Sequence, residues 1–145
     1  MILPVTGLRK SLNPLCLKQG SKMSKALIVD DNQINRDTLK LFFKRYFPSM
    51  TLEEASNGKE AIGKVGSFQP DLVMMDIQLP DVSGLELTKN IKLRNPTVKV
   101  LISTGHHYPE YKEMAIRYGA DGLFVKGESS KELLAMVEAF FPKVE

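Results

Sequence analysis

Four short, almost uninterrupted apolar runs, Ala26 to Val29, Leu72 to Met75, Val98 to Ile102 and Gly122 to Val125, each give way to polar or charged residues on the carboxyl side. Runs of this length suit strands and fall far below the ~20 apolar residues of a membrane span. They lack the alternation of a sheet with one wet face, so both faces must be covered, as in parallel strands layered between helices. A fifth segment, Thr51-Leu52-Glu53-Glu54-Ala55, is more polar and reads as an edge strand that meets solvent.

The segments between these runs change to helical period. Ile34, Thr38, Leu41 and Phe42 form one expected buried stripe, Ala61, Val65 and Phe68 a second, and Tyr111, Met114, Ala115 and Tyr118 a third. A weaker helix lies between Leu87 and Ile91. The last carries Leu133, Met136, Val137, Phe140 and Phe141 on one face, with Ser129 and Glu132 in capping-box spacing before it and Pro142 after it. Aromatic and Met stripes of this kind are core packing, and no organic cofactor is inferred from them. Asn57-Gly58 reads as a loop and helix entry. Alternation of this kind predicts an α/β fold: a doubly wound, five-stranded parallel sheet of flavodoxin-like order 2-1-3-4-5, with helices on both faces.

Length limits the chain to one such domain, since 145 residues hold one substantial core and not two ordinary ones. The net charge of +3 does not indicate a nucleic-acid partner. Residues 1–23 carry Arg9, Lys10, Lys18 and Lys22 and no acid, which leaves 16 basic against 17 acidic groups in the remainder. The patterned region therefore has no basic excess with which to hold a phosphate backbone. Residues 1–23 have no apolar core of signal-peptide length, and patterning begins just after Met23. They are expected to be a disordered, vector-derived or misassigned leader, with residues 24–145 as the domain. A lone Cys16 offers no intramolecular disulfide, which fits a cytoplasmic protein without a membrane association.

The predicted topology says where chemistry belongs. In open α/β sheets, ligands sit beyond the carboxyl ends of the strands, beside the point where strand order reverses. Strand one ends in Asp30-Asp31, strand three in Asp76, strand four in Ser103-Thr104 and strand five in Lys126. Three crowded carboxylates raise one another's pKa unless a cation balances them. A hard divalent ion such as Mg²⁺ is the natural counterion for oxygen ligands. Lys126 and Thr104 add an ammonium and a hydroxyl donor. Such a set suits phosphoryl transfer to a carboxylate nucleophile, where charge on the transferred oxygens must be neutralised.

Singly, each group has an ordinary explanation: Asp31 or Asn32 as a helix cap, Thr104 as a turn residue, Lys126 as a solvated strand end. Their convergence at one sheet edge is what carries the argument. His106-His107 has no further His or Cys ligand nearby in sequence and reads as exposed loop.

These residues resemble the response-regulator receiver domains of bacterial two-component systems, over residues 25 to 141. The likeness lies in Leu27-Ile28-Val29-Asp30-Asp31-Asn32, in Asp76 with Pro80 and Gly84 in the loop after it, in Ser103-Thr104-Gly105, and in Phe124-Val125-Lys126-Gly127. The resemblance implies that Asp76 accepts a phosphoryl group from a sensor histidine kinase or a histidine phosphotransfer protein. It also implies that Asp30, Asp31, Asp76 and the backbone carbonyl of Gln78 hold Mg²⁺, and that Thr104 and Lys126 contact the phosphoryl oxygens. Such a domain is a switch and not an enzyme, catalysing only its own phosphorylation and slow dephosphorylation. It acts through a partner, an output domain or a phosphorylation-dependent homodimer, at a surface of strand five and helices four and five.

Two positions depart from the family pattern. Leu123 stands where relatives place a switching aromatic, and Gly127 stands where many have a proline. Gln78 and His106 occupy positions that tune phosphate lifetime in the family. The departures motivate an alternative, a docking or dimerisation module that keeps the fold and works without phosphorylation. A metal-dependent phosphatase ranks last, for want of a second general acid or base beside Asp76. Because the sequence stops at Glu145, soon after the fifth helix, it is read as a stand-alone regulator or an excised receiver.

Overall fold

The computed structural model describes residues 24–142; the leader assigned to residues 1–23, with Cys16, lies outside them. The chain alternates as β1 (Lys25–Val29), α1 (Gln33–Tyr46), β2 (Thr51–Ala55), α2 (Gly58–Phe68), β3 (Leu72–Asp76), α3 (Gly84–Arg94), β4 (Lys99–Thr104), α4 (Pro109–Arg117), β5 (Gly122–Val125) and α5 (Ser130–Phe140). All strand pairs are parallel and their order is β2-β1-β3-β4-β5, the order expected from the sequence.

Alternate residues of each strand feed two separate cores. Leu27, Val29, Val73, Met75, Val100 and Ile102 pack with Ala61, Leu85, Ile91 and Ala115 from α2, α3 and α4. Ala26, Ile28, Leu72, Met74, Leu101 and Phe124 pack on the other face with Phe42, Phe43, Leu133 and Val137 from α1 and α5. Both faces of the central strands are thereby dry, which is why those strands read as apolar runs. The edge strand β2 is shielded by charge: Arg36 and Lys40 pair with Glu54 at 2.9 and 2.8 Å, and Lys64 pairs with Glu53 at 3.1 Å.

Local signals account for most helix ends. Asn32, Asn57 and Ser83 cap α1, α2 and α3 by accepting backbone N–H groups of the first turn. At α5, Ser129 does cap the helix, but its hydroxyl accepts from the Lys131 N–H and not from Glu132, so the sequence spacing marks the start without forming the reciprocal box. The segment read as a weak helix between Leu87 and Ile91 is a full one, Gly84–Arg94.

The stripe expected on α1 is a correction. Ile34 and Leu41 are 73% and 70% exposed, and the buried residues are Leu39, Phe42 and Phe43. Of the expected stripe only Phe42 is buried; the buried face joins it to Leu39 and Phe43 and so carries both rings, each able to bury roughly 150–250 Å². Phe42 and Phe43 meet edge to face with centroids 5.2 Å apart. Phe43→Ala is expected to cost about 3–5 kcal/mol in urea unfolding, whereas Leu41→Ala should change stability by no more than about 0.5 kcal/mol. A Leu41 cost comparable to that of Phe43 would return the buried stripe to Ile34 and Leu41.

Candidate functional site

At the carboxyl end of β1, Asp30 is held on nearly every side. Its N–H donates to the Ala55 carbonyl at 3.1 Å, and its own carbonyl accepts from Arg36 Nη1 at 2.7 Å. Arg36 is itself fixed by Glu54 Oε1 at 2.9 Å and Gln33 Oε1 at 2.6 Å. Asp30 Oδ1 accepts the Asn32 N–H at 2.9 Å, so the residue that caps α1 also orients the carboxylate. Only Oδ2 is left. It is shut off from solvent, has no aligned hydrogen bond among the described residues, and lies 2.9 Å from Lys126 Nζ as an ion pair.

Asp76 closes β3 and is buried, while Asp31 is exposed on the rim. Oxygens of Asp30, Asp31 and Asp76 all lie within 4.8 Å of one another. At that distance two unit charges repel by about 3.5 kcal/mol in a near-surface dielectric. The one ammonium facing them is Lys126, 3.2 Å from Asp76 Oδ1 and 2.9 Å from Asp30 Oδ2. Burial, and then the Asp30 charge, push the Asp76 carboxyl above its ordinary range, and Lys126 only partly offsets them. Burial alone would lower the Lys126 ammonium, but its pairing with Asp30 and Asp76 outweighs burial and holds it above its ordinary value. One ammonium thus faces three carboxylates, with a buried carboxylate oxygen still lacking a donor. The all-oxygen donor set and that orphaned atom fit a hard divalent cation.

The opposite wall comes from β4. Thr104 is fully buried and its Oγ1 accepts the His106 N–H at 3.1 Å, which leaves the hydroxyl proton for an acceptor in the cleft. Asp31, Asp76, Gln78, Thr104, His106 and Lys126 line one cleft, and Asp30 joins it through Lys126. Every residue predicted for the phosphoryl and metal site is therefore at one place. A second, more apolar groove between α2 and α3, lined by Ile62, Val65, Asn90, Ile91 and Arg94, has none of this chemistry. His106 and His107 are exposed, as expected of loop residues.

Gly84, which the resemblance places in the loop after Asp76, starts α3 without a positive φ, and its importance is contact: a Cβ there would clash with the Asp76 carbonyl oxygen. The loop is pinched shut by the Gly84 N–H donating to Ile77 O at 2.9 Å and by a Gln78–Ser83 bridge. Gly127 does use glycine freedom, with φ +89°, and the described peptide bonds are all trans. Two contributors escaped the sequence reading. Arg36 anchors Asp30, and Asp81 accepts the Gly58 and Lys59 N–H groups at 2.8 and 3.1 Å and ties the β3–α3 loop to α2. Neither has a local pattern to betray it, since each acts on a partner remote in sequence. Ser103, read only as a polar end of strand four, buries an unpaired hydroxyl.

Comparison with known proteins agrees with this geometry. The model of the response regulator receiver domain family matches residues 26–138. The chain is 35% identical over 117 residues to the transcriptional regulatory protein YdfI of Bacillus subtilis, covering 81% of this chain and 54% of that protein. It is 34% identical over 111 residues to the response regulator protein VraR of Staphylococcus aureus, covering 75% and 52%. The chain thus spans about half the length of the curated relatives it matches. Among solved structures, a two-component response regulator from Clostridium difficile superimposes with a TM-score of 0.75 at 30% identity, covering 81% of this chain and 95% of that one. A LuxR-family response regulator from Aurantimonas sp. SI85-9A1 gives 0.75 at 29% identity, covering 81% and 84%.

The raised Asp76 pKa sets a pH dependence. A carboxyl more basic in the folded state than its unfolded value of 3.8 destabilises the fold once ionised. The penalty is absent at lower pH, accumulates as pH rises from 3.8 to the raised folded value, and is complete above it. In chelator, Asp76→Asn should melt above wild type at neutral pH, because Lys126 retains Asp30. The gap should close on acidification through the carboxylate range. Equal melting points at neutral pH would contradict this charge balance.

Proposed function

Because this chain belongs to the receiver-domain family of two-component response regulators, we propose that Asp76 is its phosphoacceptor and that residues 24–145 form the switching unit. The observation that carries the reading is the buried Asp76 carboxylate, 3.2 Å from Lys126 and within 4.8 Å of the Asp30 and Asp31 oxygens. One oxygen of Asp76 forms the new P–O bond to phosphorus while the P–N bond of a phosphohistidine breaks and the leaving imidazole takes up a proton. The donor is a sensor histidine kinase or a histidine phosphotransfer protein.

Receiver domains bind Mg²⁺ at their acidic pocket, and in this chain Asp30, Asp31, Asp76 and the Gln78 carbonyl would hold it. Bound there, the ion supplies positive charge to the transferred oxygens. Lys126 neutralises further charge on the far side, and Thr104 donates its free hydroxyl proton to a phosphoryl oxygen. Asp30, fixed by Arg36 and the Asn32 N–H, keeps the cluster from spreading.

The domain acts on no external substrate and loses its own phosphoryl group slowly. Phosphorylation adds about −1.5 to −2 charge and three acceptor oxygens beside Thr104 and Lys126. The signal then leaves through β5, α4 and α5, to an output partner or domain or to a second copy. Tyr108 and Ile116, 52% and 64% exposed before and on α4, give that face apolar contact area. Among the described residues no helix is long and apolar enough to cross a membrane. The reading places the protein in the cytoplasm and gives it no direct nucleic-acid contact.

Incubated with Mg²⁺ and acetyl phosphate, the wild-type chain should gain one phosphoryl group by intact mass. Asp76→Asn should gain none, chelator should abolish the gain, and Lys126→Met should slow it about 100-fold or more. A Mg²⁺-independent gain, or the same gain in Asp76→Asn, would leave phosphorylation-independent docking as the better account.

A further inference from the structure

β4 contributes a second hydroxyl to this end of the sheet, and phosphoryl transfer to Asp76 does not use it. Ser103 is 2% exposed, and its Oγ is closed off from solvent without a hydrogen-bond partner among the described residues. Its neighbours in register are Asp76 on β3 and Phe124 on β5. Leu101, two residues before it, belongs to the core with Met74 and Phe124. In-register residues of neighbouring parallel strands share a face, so Ser103 stands on the same sheet face as Asp76.

Lys126 must cross that face. It lies just beyond β5, yet its ammonium reaches Asp76 on β3 and Asp30 just after β1, with β4 in between. On that face the end of β4 and the loop after it present Ser103 and then Gly105, a short side chain and none. An apolar residue would serve packing better in a position flanked by Leu101 and Phe124. A buried hydroxyl without a partner destabilises the state in which it is found, a cost that another state recovers if it supplies the partner.

We propose that Ser103 is a positioning residue that takes over from Lys126. In the structure Lys126 holds Asp76 Oδ1 at 3.2 Å. When a phosphoryl group arrives, the ammonium shifts to its oxygens and releases Oδ1. Ser103, one strand away at about 4.8 Å strand spacing, rotates its hydroxyl to donate to the released oxygen and keeps the Asp76 carboxyl in line. No bond to Ser103 forms or breaks, and its proton stays on Oγ. The inference rests on Asp76 being the acceptor.

The test compares the full chain with its Ser103→Ala and Ser103→Thr variants. Melting is followed in chelator and after loading with Mg²⁺ and beryllofluoride, a stand-in for the aspartyl phosphoryl group, and the rate of phosphoryl uptake from acetyl phosphate is measured by mass. Ser103→Ala should melt no lower than wild type in chelator, since it removes an orphaned polar atom. It should gain less on loading and take up phosphoryl about three- to tenfold more slowly. Ser103→Thr should restore both loading gain and rate. An Ala variant that melts lower in chelator but loads and reacts as wild type does, or a Thr variant that behaves like Ala, assigns the residue to packing and overturns the proposal. Wild type that fails to load or react overturns the Asp76 reading itself, and the inference with it.

Discussion

One ammonium group spans the sheet. Lys126, anchored past the last strand, reaches over β4 to touch Asp76 on β3 and Asp30 just after β1, at 3.2 and 2.9 Å. The contact is possible only because β1 and β3 are neighbours and β4 stands next to β3, an order that brings the carboxyl ends of non-consecutive strands within one side-chain length. Among the described residues, no other ammonium or guanidinium is paired with the carboxylates of this cluster to oppose their mutual repulsion. Removing one partner of a buried pair leaves a charge uncompensated, commonly at about 3–5 kcal/mol. The position of the cluster therefore depends on Lys126, and its charge state on how incompletely Lys126 balances it.

The surrounding backbone is built to hold that imbalance in place. Arg36 fixes the Asp30 carbonyl, Asn32 fixes one Asp30 oxygen, and the Gly84 helix start presses against the Asp76 carbonyl so closely that no side chain fits between. Asp81 joins the loop after Asp76 to the start of α2 through two backbone N–H groups, which hold its own carboxyl below the ordinary range. None of these contacts involves the oxygens left over for chemistry. What remains without an aligned hydrogen bond is Asp30 Oδ2, held by Lys126 only as an ion pair, together with the Thr104 hydroxyl proton and the Ser103 hydroxyl. A rigid frame with its unsatisfied groups confined to one cleft is poised to bind charge and not to fold better without it.

This division explains what the order of residues reveals. Strands buried on both faces must be apolar and must shed polarity at their ends, so Asp30, Asp31, Asp76, Thr104 and Lys126 stand out as terminators in the sequence alone. Helix entries at Asn57 and Ser129 are legible for the equally local reason that their side chains cap the next turn. Position along the chain says little about which residues of an apolar helix turn inward: Phe42 of the expected stripe is buried with Leu39 and Phe43, while Ile34 and Leu41 stay exposed. Gly84 is legible only as part of the family-like loop after Asp76, and the reason it must be glycine, a carbonyl eight residues back, is tertiary. Arg36 and Asp81 look like any surface charge until their partners 18 and 23 residues away fold against them.

Leu123 raises the question of how a change at Asp76 travels without an aromatic ring at that position. It is half-buried against the core shared by α2, α3 and α4, with no polar tip to rotate between two settings. The loop after β4 offers a more direct coupling. Thr104 Oγ1 already holds the His106 N–H at 3.1 Å, His106 stacks on Tyr108 at 5.4 Å and 16°, and Tyr108 meets Tyr111 of α4 edge on at 5.3 Å. A Thr104 hydroxyl drawn toward the cleft cannot keep its present geometry to the His106 N–H unless the loop follows. If the loop follows, the ring stack and the start of α4 are displaced with it. Coupling through contiguous contacts of this kind needs a two-state element at its end. The helix at the end of this path, α4, has a single buried residue, Ala115, and thus less apolar burial to hold it than α1 or α3.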